Sequence, residues 1–334
     1  MADRRESLIE KARWFGGGLF MRRLWCVRLL ILVLLGGPWP ALGQGLEKIR
    51  IVYASRGLPF FSAFVAKEMK FYQKHGLEVE LIQMAPRIAI TALATSQVDY
   101  SLNIGSTMRA AMRGAPVRAV ASSTVAPFFA LVTKEPNIAA LKGKILGVSD
   151  FGGTNYQVTR MVLTHYGLVP LKDVQILSIG EEKVILEALL SGRIHGAMLS
   201  PPWPFEAEKH GFKIILKASD VVQFPFAGIC TYTDKIKNNR EQIKKVIRAE
   251  LDALRFIRER RQENIDMIVK LFKMDKEIAQ KSYDFASVFY SRDARIQPEA
   301  ARRLIALEKE NGDIKGDVDV GHIADLSLVE EVLR

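Results

Sequence analysis

Cysteine is scarce in this chain, because only Cys26 and Cys230 occur among its 334 residues. Cys26 lies in a segment that we expect to be removed, so the mature chain has no internal disulfide. Cys230 lies in the apolar stretch 226–231, which predicts a buried strand. A thiol in such a stretch is typical of a packed core residue rather than of a catalytic nucleophile.

The sequence also lacks the short motifs of common enzyme classes. It has no G-x-S-x-G elbow, no P-loop and no H-E-x-x-H zinc motif. The glycines at 16–18 and 152–153 do not complete a dinucleotide-binding fingerprint, because the third glycine and the later acid are missing. The five histidines are scattered along the chain. The sequence therefore predicts no metal, no cofactor and no nucleophile with its base.

Positive charge is in excess but is not concentrated in one region. The formal net charge is +11, and acidic and basic residues alternate in stretches such as 275–277 and 308–310. No basic stripe with interleaved aromatic residues is present, so we expect no nucleic-acid partner. A mild excess of positive charge instead suits anionic solutes or an anionic surface.

Residues 1–43 have the composition of a secretory signal peptide. A basic segment over 21–28 precedes a short apolar run over 29–35, and residues 41–43 (Ala-Leu-Gly) supply small side chains for cleavage. The apolar run is too short for a spanning helix, although a retained membrane anchor is the alternative. We therefore expect an exported, periplasmic protein whose translation could start at Met21.

Two parts of the chain repeat one pattern. Residues 92–102 and 188–198 both read as the end of a helix, a tight turn and a short strand, 96 residues apart. Upstream, the strand-like stretches 48–52 and 144–148 match at the same offset. One βαβ unit is common, but two in tandem predict two lobes, and ligands favour the crevice between lobes.

The repeat predicts an α/β fold with two lobes joined by a two-segment hinge. We expect the first lobe to comprise 46–124 and 226–334, and the second lobe to comprise 126–222. The chain would then cross between the lobes near 124–128 and again near 221–225. Two crossing segments are typical of a hinge.

Apolar spacing predicts several individual elements. We expect a helix over 60–75, a strand over 98–103 and a long charged helix over 238–262. After residue 226 the pattern becomes mainly helical, and we expect this tail to pack on the first lobe.

Polar loops follow several predicted strands, and each loop opens a helix. The N–H groups at a helix N-terminus are unpaired and carry partial positive charge, so they bind anionic or carbonyl groups. Each such residue could instead merely cap its own helix. Because such loops are predicted in both lobes, we expect them to meet in one binding site. The residues of that site would be Ser55, Asn103, Gly105, Ser106, Thr107, Gly153, Thr154 and Asn155, with Ser200 in a later loop.

Two arginines and three aromatic residues extend this candidate site. Arg56 and Arg87 offer forked donors for a carboxylate, sulfonate or phosphate, although either could be a solvated loop residue. The aromatic candidates for the apolar part of a ligand are Phe60, Phe151 and Trp203, and Trp203 could equally be a hydrophobic plug. An acid–base pair for catalysis could come only from Asp150, Glu181 and Glu182.

Five stretches carry a resemblance to a known family. They lie at 71–79 (FYQKHGLEV), 92–100 (ALATSQVDY), 187–196 (EALLSGRIHG), 199–203 (LSPPW) and 209–212 (KHGF). In these stretches the chain resembles the solute-binding proteins of ABC importers for aliphatic sulfonates, taurine and nitrate, and the thiamine-precursor-like binding proteins. The resemblance covers 46–312.

The resemblance implies a periplasmic binding protein type II fold that closes on its ligand and docks on a permease. We therefore expect a monomeric, non-enzymatic protein that delivers a small organic, anionic solute to an ABC importer. The alternatives are a ligand sensor of the same fold and a periplasmic enzyme. The chain differs from the family at 83–88, where a proline and Arg87 replace a turn rich in Gly or Ser. It also lacks the cysteine cluster of the related thiamine-precursor enzymes, which argues against catalysis.

Overall fold

The computed structural model describes residues 45–334, and the predicted signal peptide at 1–43 lies outside them. The strands are β1 Glu47–Tyr53, β2 Leu77–Gln83, β3 Tyr100–Ser101, β4 Val117–Ser122, β5 Ala130–Thr133, β6 Ile145–Val148, β7 Gln175–Ser178, β8 Gly196–Leu199, β9 Lys213–Lys217 and β10 Gly228–Tyr232. The helices are α1 Phe61–Glu68, α2 Phe71–Lys74, α3 Pro86–Ala94, α4 Ile104–Met112, α5 Thr154–His165, α6 Glu182–Leu190, α7 Trp203–Glu208, α8 Thr233–Asn238, α9 Arg240–Glu259, α10 Arg261–Phe272, α11 Lys276–Ser287, α12 Pro298–Glu310, α13 Val320–Ile323 and α14 Ser327–Leu333.

The strands form two five-stranded mixed sheets with the same internal order. The first sheet runs β2-β1-β3-β10-β4, and the second runs β7-β6-β8-β5-β9. In each sheet the second strand in this order, β1 or β6, pairs in parallel with both of its neighbours. The strand that follows a crossing, β5 or β10, pairs antiparallel with its neighbours. The two repeated stretches of the sequence therefore correspond to two sheets with the same strand order.

The long helix of the C-terminal part of the chain packs on helices beside the first sheet. Helix α9 contacts α1, α2 and α14. It buries apolar residues at helical spacing, among them Ile243, Val246, Ile247 and Leu254, while most of its charged residues face outward and Glu250 is the buried exception. This amphipathic pattern explains why a strongly charged segment still forms part of the core.

Two predicted helices are interrupted in the structure. The segment 60–75 divides into a short 3-10 turn, α1 and α2, with Lys70 in the left-handed region at φ 59°. Within the predicted helix 238–262, α9 ends at Glu259 with Arg260 as its C-cap, and α10 begins at Arg261. The Asn264 amide donates to the carbonyls of Phe256 and Arg260, at 3.0 and 2.7 Å, and so adds a second donor to carbonyls that already accept the backbone N–H groups of Arg260 and Asn264.

Two strands also differ from the prediction. The strand expected over 98–103 is only Tyr100–Ser101, because the chain turns into α4 directly after Asn103. Strand β5 at Ala130–Thr133 was not predicted. Cys230 lies in β10 and is buried, as predicted, and burial raises the pKa of its thiol to about 12. Such a thiol stays protonated and unreactive at neutral pH.

None of the helices in the described part of the chain is both long and apolar enough to cross a membrane. Over residues 45–334, His, Cys, Asp and Glu side chains do not come together in groups of three that could hold a metal ion.

Candidate functional site

A cavity with an empty volume of about 380 Å³ lies between the two sheets. The space within it that a water molecule can enter is only about 30 Å³, well below the size of typical small-molecule sites, so in this conformation the two sheets leave little free room between their polar groups. The segments that lead into β5 and β10 contribute one aromatic ring each, and the centroids of Phe129 and Phe226 are 4.7 Å apart. The full lining is Ala54, Ser55, Phe60, Pro86, Asn103, Ser106, Phe129, Ser149, Thr154, Asn155, Glu182 and Phe226.

Four helices begin at the wall of this cavity. Pro86 is the first residue of α3, and Asn103 is the N-cap of α4. Thr154 and Glu182 are the first residues of α5 and α6. Because the first N–H groups of a helix lack intrahelical partners and carry partial positive charge, this convergence favours a ligand group that accepts hydrogen bonds.

Arg109 stands directly behind this wall, although it is not among the lining residues. It lies in the second turn of α4, is fully buried, and donates from Nη2 to Ser106 Oγ at 3.1 Å and to Thr154 Oγ1 at 3.2 Å. The bond to Thr154 links a helix of the first sheet to a helix of the second. Burial lowers the pKa of Arg109 to about 10, so its guanidinium remains charged at neutral pH.

The charge of Arg109 is only partly compensated. Its Nη1 has no hydrogen-bond partner among the described residues. Glu308 on α12 raises the pKa of Arg109 by its negative charge, but both carboxyl oxygens of Glu308 also lack hydrogen-bond partners among those residues. Burial in turn raises the pKa of Glu308, which weakens its compensation further.

Glu182 brings the opposite charge to the same cavity. Its Oε2 accepts from the backbone N of Ser200 at 2.6 Å and from Ser200 Oγ at 2.7 Å, and its Oε1 accepts from Ser55 Oγ at 3.4 Å. Burial raises the pKa of Glu182 to about 7 because desolvation outweighs these hydrogen bonds. The neighbouring charge of Glu181 raises that pKa further.

A second, larger groove lies on the surface beside the cavity. Its empty volume is about 1250 Å³, and it is lined by Arg56, Glu181, Trp203 and residues of α6, α7, α10 and the loop after α10. Trp203 Nε1 donates to the carbonyl of Arg56 at 2.9 Å, and this hydrogen bond links segments of the two sheets between the groove and the cavity. We assign the site to the smaller cavity, because the helix N-termini and the buried charges converge there.

The structure brings together at the cavity six of the fourteen residues predicted for the site. The predicted residues that line the cavity are Ser55, Phe60, Asn103, Ser106, Thr154 and Asn155. Gly105 and Gly153 lie directly behind it. A Cβ at Gly105 would be 2.8 Å from Thr154 Oγ1, and a Cβ at Gly153 would be 3.3 Å from Pro86. Ser200 supports Glu182.

The remaining predicted residues lie outside the cavity. Arg56 is exposed and lines the larger groove together with Trp203. Arg87 is exposed on the first turn of α3, beside Gly152. Phe151 is 39% exposed and packs edge-on against Tyr156. In this conformation neither arginine reaches the lining.

Sequence reasoning missed several lining residues. Phe129 and Phe226 each directly follow one of the two predicted crossings, 124–128 and 221–225, so the predicted hinge pointed to their neighbourhood without naming them. Glu182 was considered only as a catalytic acid, although it opens a helix in the same way as Thr154. Arg109 gave no signal, because it lies inside a helix rather than in a loop.

A family model matches most of the described chain. The model described as "NMT1/THI5 like" matches residues 59–264, which is more than half of the chain. Sequence comparison with curated proteins gives no match.

Solved structures show the same fold. The nitrate-binding protein NrtA of Synechocystis PCC 6803 has a TM-score of 0.72 at 15% identity, covering 86% of this chain and 88% of that one. A ligand-binding component of an ABC-type import system from Staphylococcus aureus has a TM-score of 0.71 at 16% identity, covering 86% and 99%. The alkanesulfonate-binding protein SsuA of Xanthomonas axonopodis pv. citri, bound to MOPS, has a TM-score of 0.70 at 14% identity, covering 83% and 97%.

These likenesses confirm the predicted fold class, a two-sheet α/β periplasmic binding protein fold. The three neighbours are named as binding proteins rather than as enzymes, in agreement with the expectation of a non-enzymatic chain.

Proposed function

Because the chain belongs to the NMT1/THI5-like family, we propose that it is a solute-binding protein that captures a small organic molecule between its two sheets. The observation that carries this proposal is the cavity into which four helix N-termini point. A concave site with few, well-placed polar groups is typical of small-molecule binding.

The helix N-termini support an anionic or acceptor group on the solute. Arg109 adds to this preference through two hydroxyl groups. Since its Nη2 donates to the oxygens of Ser106 and Thr154, each hydroxyl must direct its own hydrogen elsewhere. Ser106 can donate to the carbonyl of Gly152 at 3.3 Å, and the Thr154 hydrogen has only a long 3.5 Å contact with Ser106 Oγ, so it is available to a group in the cavity. We therefore place the hydrogen-bond acceptor of the solute next to the Thr154 hydroxyl.

The rest of the proposal concerns export and delivery. The signal-peptide pattern of residues 1–43 supports export to the periplasm, and the name of the Staphylococcus aureus neighbour supports an ABC importer as the partner. The two sheets would belong to two lobes, 46–124 with 226–334 and 126–222, that close on the solute as a monomer. The contact between Arg109 and Thr154 joins these lobes in the closed form.

A ligand screen followed by one matched pair of variants tests this function. Organic anions, aromatic acids and pyrimidines are screened by thermal shift, because a ligand that binds only the folded protein raises Tm. Titration calorimetry then compares Thr154→Val with Thr164→Val, which changes an exposed threonine of the same helix. Loss of a hydrogen bond to a charged group costs about 1.5–3 kcal/mol, so Thr154→Val should bind about ten- to a hundredfold more weakly.

The control variant should bind like the wild type, because Thr164 faces solvent. Equal affinities of the two variants would place the solute elsewhere. Turnover of any bound compound would instead support a periplasmic enzyme.

A further inference from the structure

Glu308 of α12 is a buried acid near Arg109. Its side chain is as fully shielded from solvent as that of Arg109. Both carboxyl oxygens of Glu308 and the Nη1 of Arg109 lack hydrogen-bond partners among the described residues. Each group nevertheless shifts the pKa of the other through its charge, so the two lie within electrostatic reach. Opposite charges that are buried together but not joined are costly in this conformation.

The guanidinium of Arg109 is held by a residue on the side of the other sheet. Its Nη2 donates to Thr154 Oγ1 at 3.2 Å, and Thr154 begins α5. Helix α5 falls in the proposed second lobe, whereas α4 and α12 both fall in the first. Helix α13 contacts α4 and α12, so it connects the two helices that carry Arg109 and Glu308. When the lobes separate, Thr154 leaves Arg109 and Glu308 stays beside it.

A second contact is broken by the same separation. Arg160 of α5 pairs with Asp313 at 3.2 Å. The backbone N–H of Asp313 donates to the carbonyl of Glu308 at 2.9 Å, so Asp313 is fixed to the end of α12. Opening therefore breaks this ion pair together with the bond between Arg109 and Thr154.

One cation remains as a buried partner for Glu308 after opening. The charged side chains that act on Glu308 are Arg109 and Arg113 of α4, Arg160 of α5 and Asp313. Arg113 is exposed, as is His322 of the neighbouring α13, and Arg160 departs with α5. Arg109 is left beside Glu308, and buried opposite charges are more stable paired than unpaired.

We propose that Glu308 competes with Thr154 for the guanidinium of Arg109. In the closed form Thr154 holds this group, and in the open form it turns to the carboxylate of Glu308 and forms a buried ion pair. Because that ion pair exists only in the open form, Glu308 shifts the ligand-free protein toward opening. The inference rests on the proposed function and deepens it by naming the side chain that opposes closure.

Spin-label distances in the ligand-free protein test this inference at pH 8, which favours an ionised Glu308. Labels at Met69→Cys and Val169→Cys report the separation of the proposed lobes, because both positions are exposed and lie outside the cavity and the groove. Cys230 is buried and stays unlabelled. Double electron–electron resonance then gives the populations of the open and closed forms.

The variant Glu308→Gln keeps the shape of the side chain and removes its charge. The ratio of closed to open molecules should rise at least about threefold, because the open form loses its ion pair. Glu308→Asp withdraws the carboxylate from Arg109 and should shift the ratio in the same direction, which covers a failure of the glutamine variant to fold. Glu310→Gln changes an exposed acid of the same helix and should leave the ratio unchanged.

A double variant shows whether Glu308 acts through Arg109. In an Arg109→Met background no guanidinium remains to be exchanged, so Glu308→Gln should cause no further shift.

Three results would overturn the inference. One is an unchanged or more open population in Glu308→Gln. Another is a shift of equal size in the Arg109→Met background, because Glu308 would then act without Arg109. The third is a wild type that shows the closed distance alone. None of these measurements uses a solute, so the ligand screen and the Thr154→Val variant judge the proposed function separately.

Discussion

Glu182 couples the stability of the ligand-free protein to pH. Burial raises its pKa from 4.5 to about 7, so between these values the folded state holds a proton that the unfolded state has released. The free energy of unfolding therefore falls as pH rises from about 4.5 through 7, by about 3 kcal/mol for this group. Below pH 4.5 both states are protonated, and the full contribution is retained.

Chemical denaturation at pH 5 and pH 8 checks this expectation. The wild type should lose more stability on going to pH 8 than Glu182→Gln does, because the amide does not titrate. The comparison with the variant is needed because burial also raises the pKa of Glu250 and Glu308. Equal pH dependence in wild type and variant would show that Glu182 is not the responsible group.

The arginines of the site should differ in their effect on affinity. Arg109 is buried behind Thr154, whereas Arg87 is exposed and lies outside the cavity lining. The variant Arg109→Met, which keeps volume without charge, should bind an anionic solute about ten- to a hundredfold more weakly. The variant Arg87→Ala should change Kd by less than about twofold, as expected for a solvated residue.

Titration calorimetry with one solute gives both values. A large loss in Arg87→Ala, together with near-normal binding by Arg109→Met, would restore the interpretation drawn from the sequence. Arg87 would then reach the solute only after the site rearranges.

The sequence predicted those elements whose burial pattern can be read from their own residues, without knowledge of their neighbours in the fold. Strand β1 alternates and then continues as buried Ile51, Val52 and Tyr53, and this run of β-branched and aromatic residues identifies it without tertiary information. Strand β3 has two residues, and its length depends on β1 and β10 beside it. The end of α9 likewise depends on the Asn264 side chain, which turns back to the preceding carbonyls.

The same distinction applies to the site. Ser106 and Thr154 were predictable because each follows a strand and begins a helix, which is a local pattern. Arg109 was not predictable, because no feature of the neighbouring sequence distinguishes a buried arginine in a helix from an exposed one. Its role appears only when α4 and α5 are brought together from different sheets.

Gly105 marks the close approach of α4 and α5. A Cβ at this position would lie 2.8 Å from Thr154 Oγ1 and 3.5 Å from Arg109 Nη1. In Gly105→Ala the added methyl should hold the two helices apart, while alanine itself favours helix by about 1 kcal/mol over glycine. We therefore expect weaker solute binding, by roughly tenfold or more, without loss of stability in the ligand-free protein.

Calorimetry and chemical denaturation separate these two effects. Gly57→Ala provides a second case, because its Cβ would lie 2.8 Å from Ser200 Oγ, again between segments of different sheets. Binding by both variants at wild-type affinity would mean that the closed contacts at these points are not needed to hold the solute.

Contacts between the two sheets surround the cavity on several sides. The Leu58 N–H donates to the carbonyl of Pro201 at 2.9 Å, and Trp203 bonds to the Arg56 carbonyl. On another side Arg160 pairs with Asp313 at 3.2 Å. Each contact alone is weak, and exposed or half-exposed ion pairs contribute about 1 kcal/mol or less. A bound solute would add its own contacts to both sides at once.

This arrangement leads to a prediction for the shape of the whole molecule. If the closed contacts are individually weak, the ligand-free protein should sample an open form, and a solute that touches both sheets should shift the population to the closed one. Small-angle scattering should then show a smaller radius of gyration at saturating solute than without it. Gly105→Ala should show a smaller decrease, because its methyl group opposes closure. An identical radius with and without solute, in a sample that calorimetry shows to be saturated, would exclude a closing hinge and leave a rigid site.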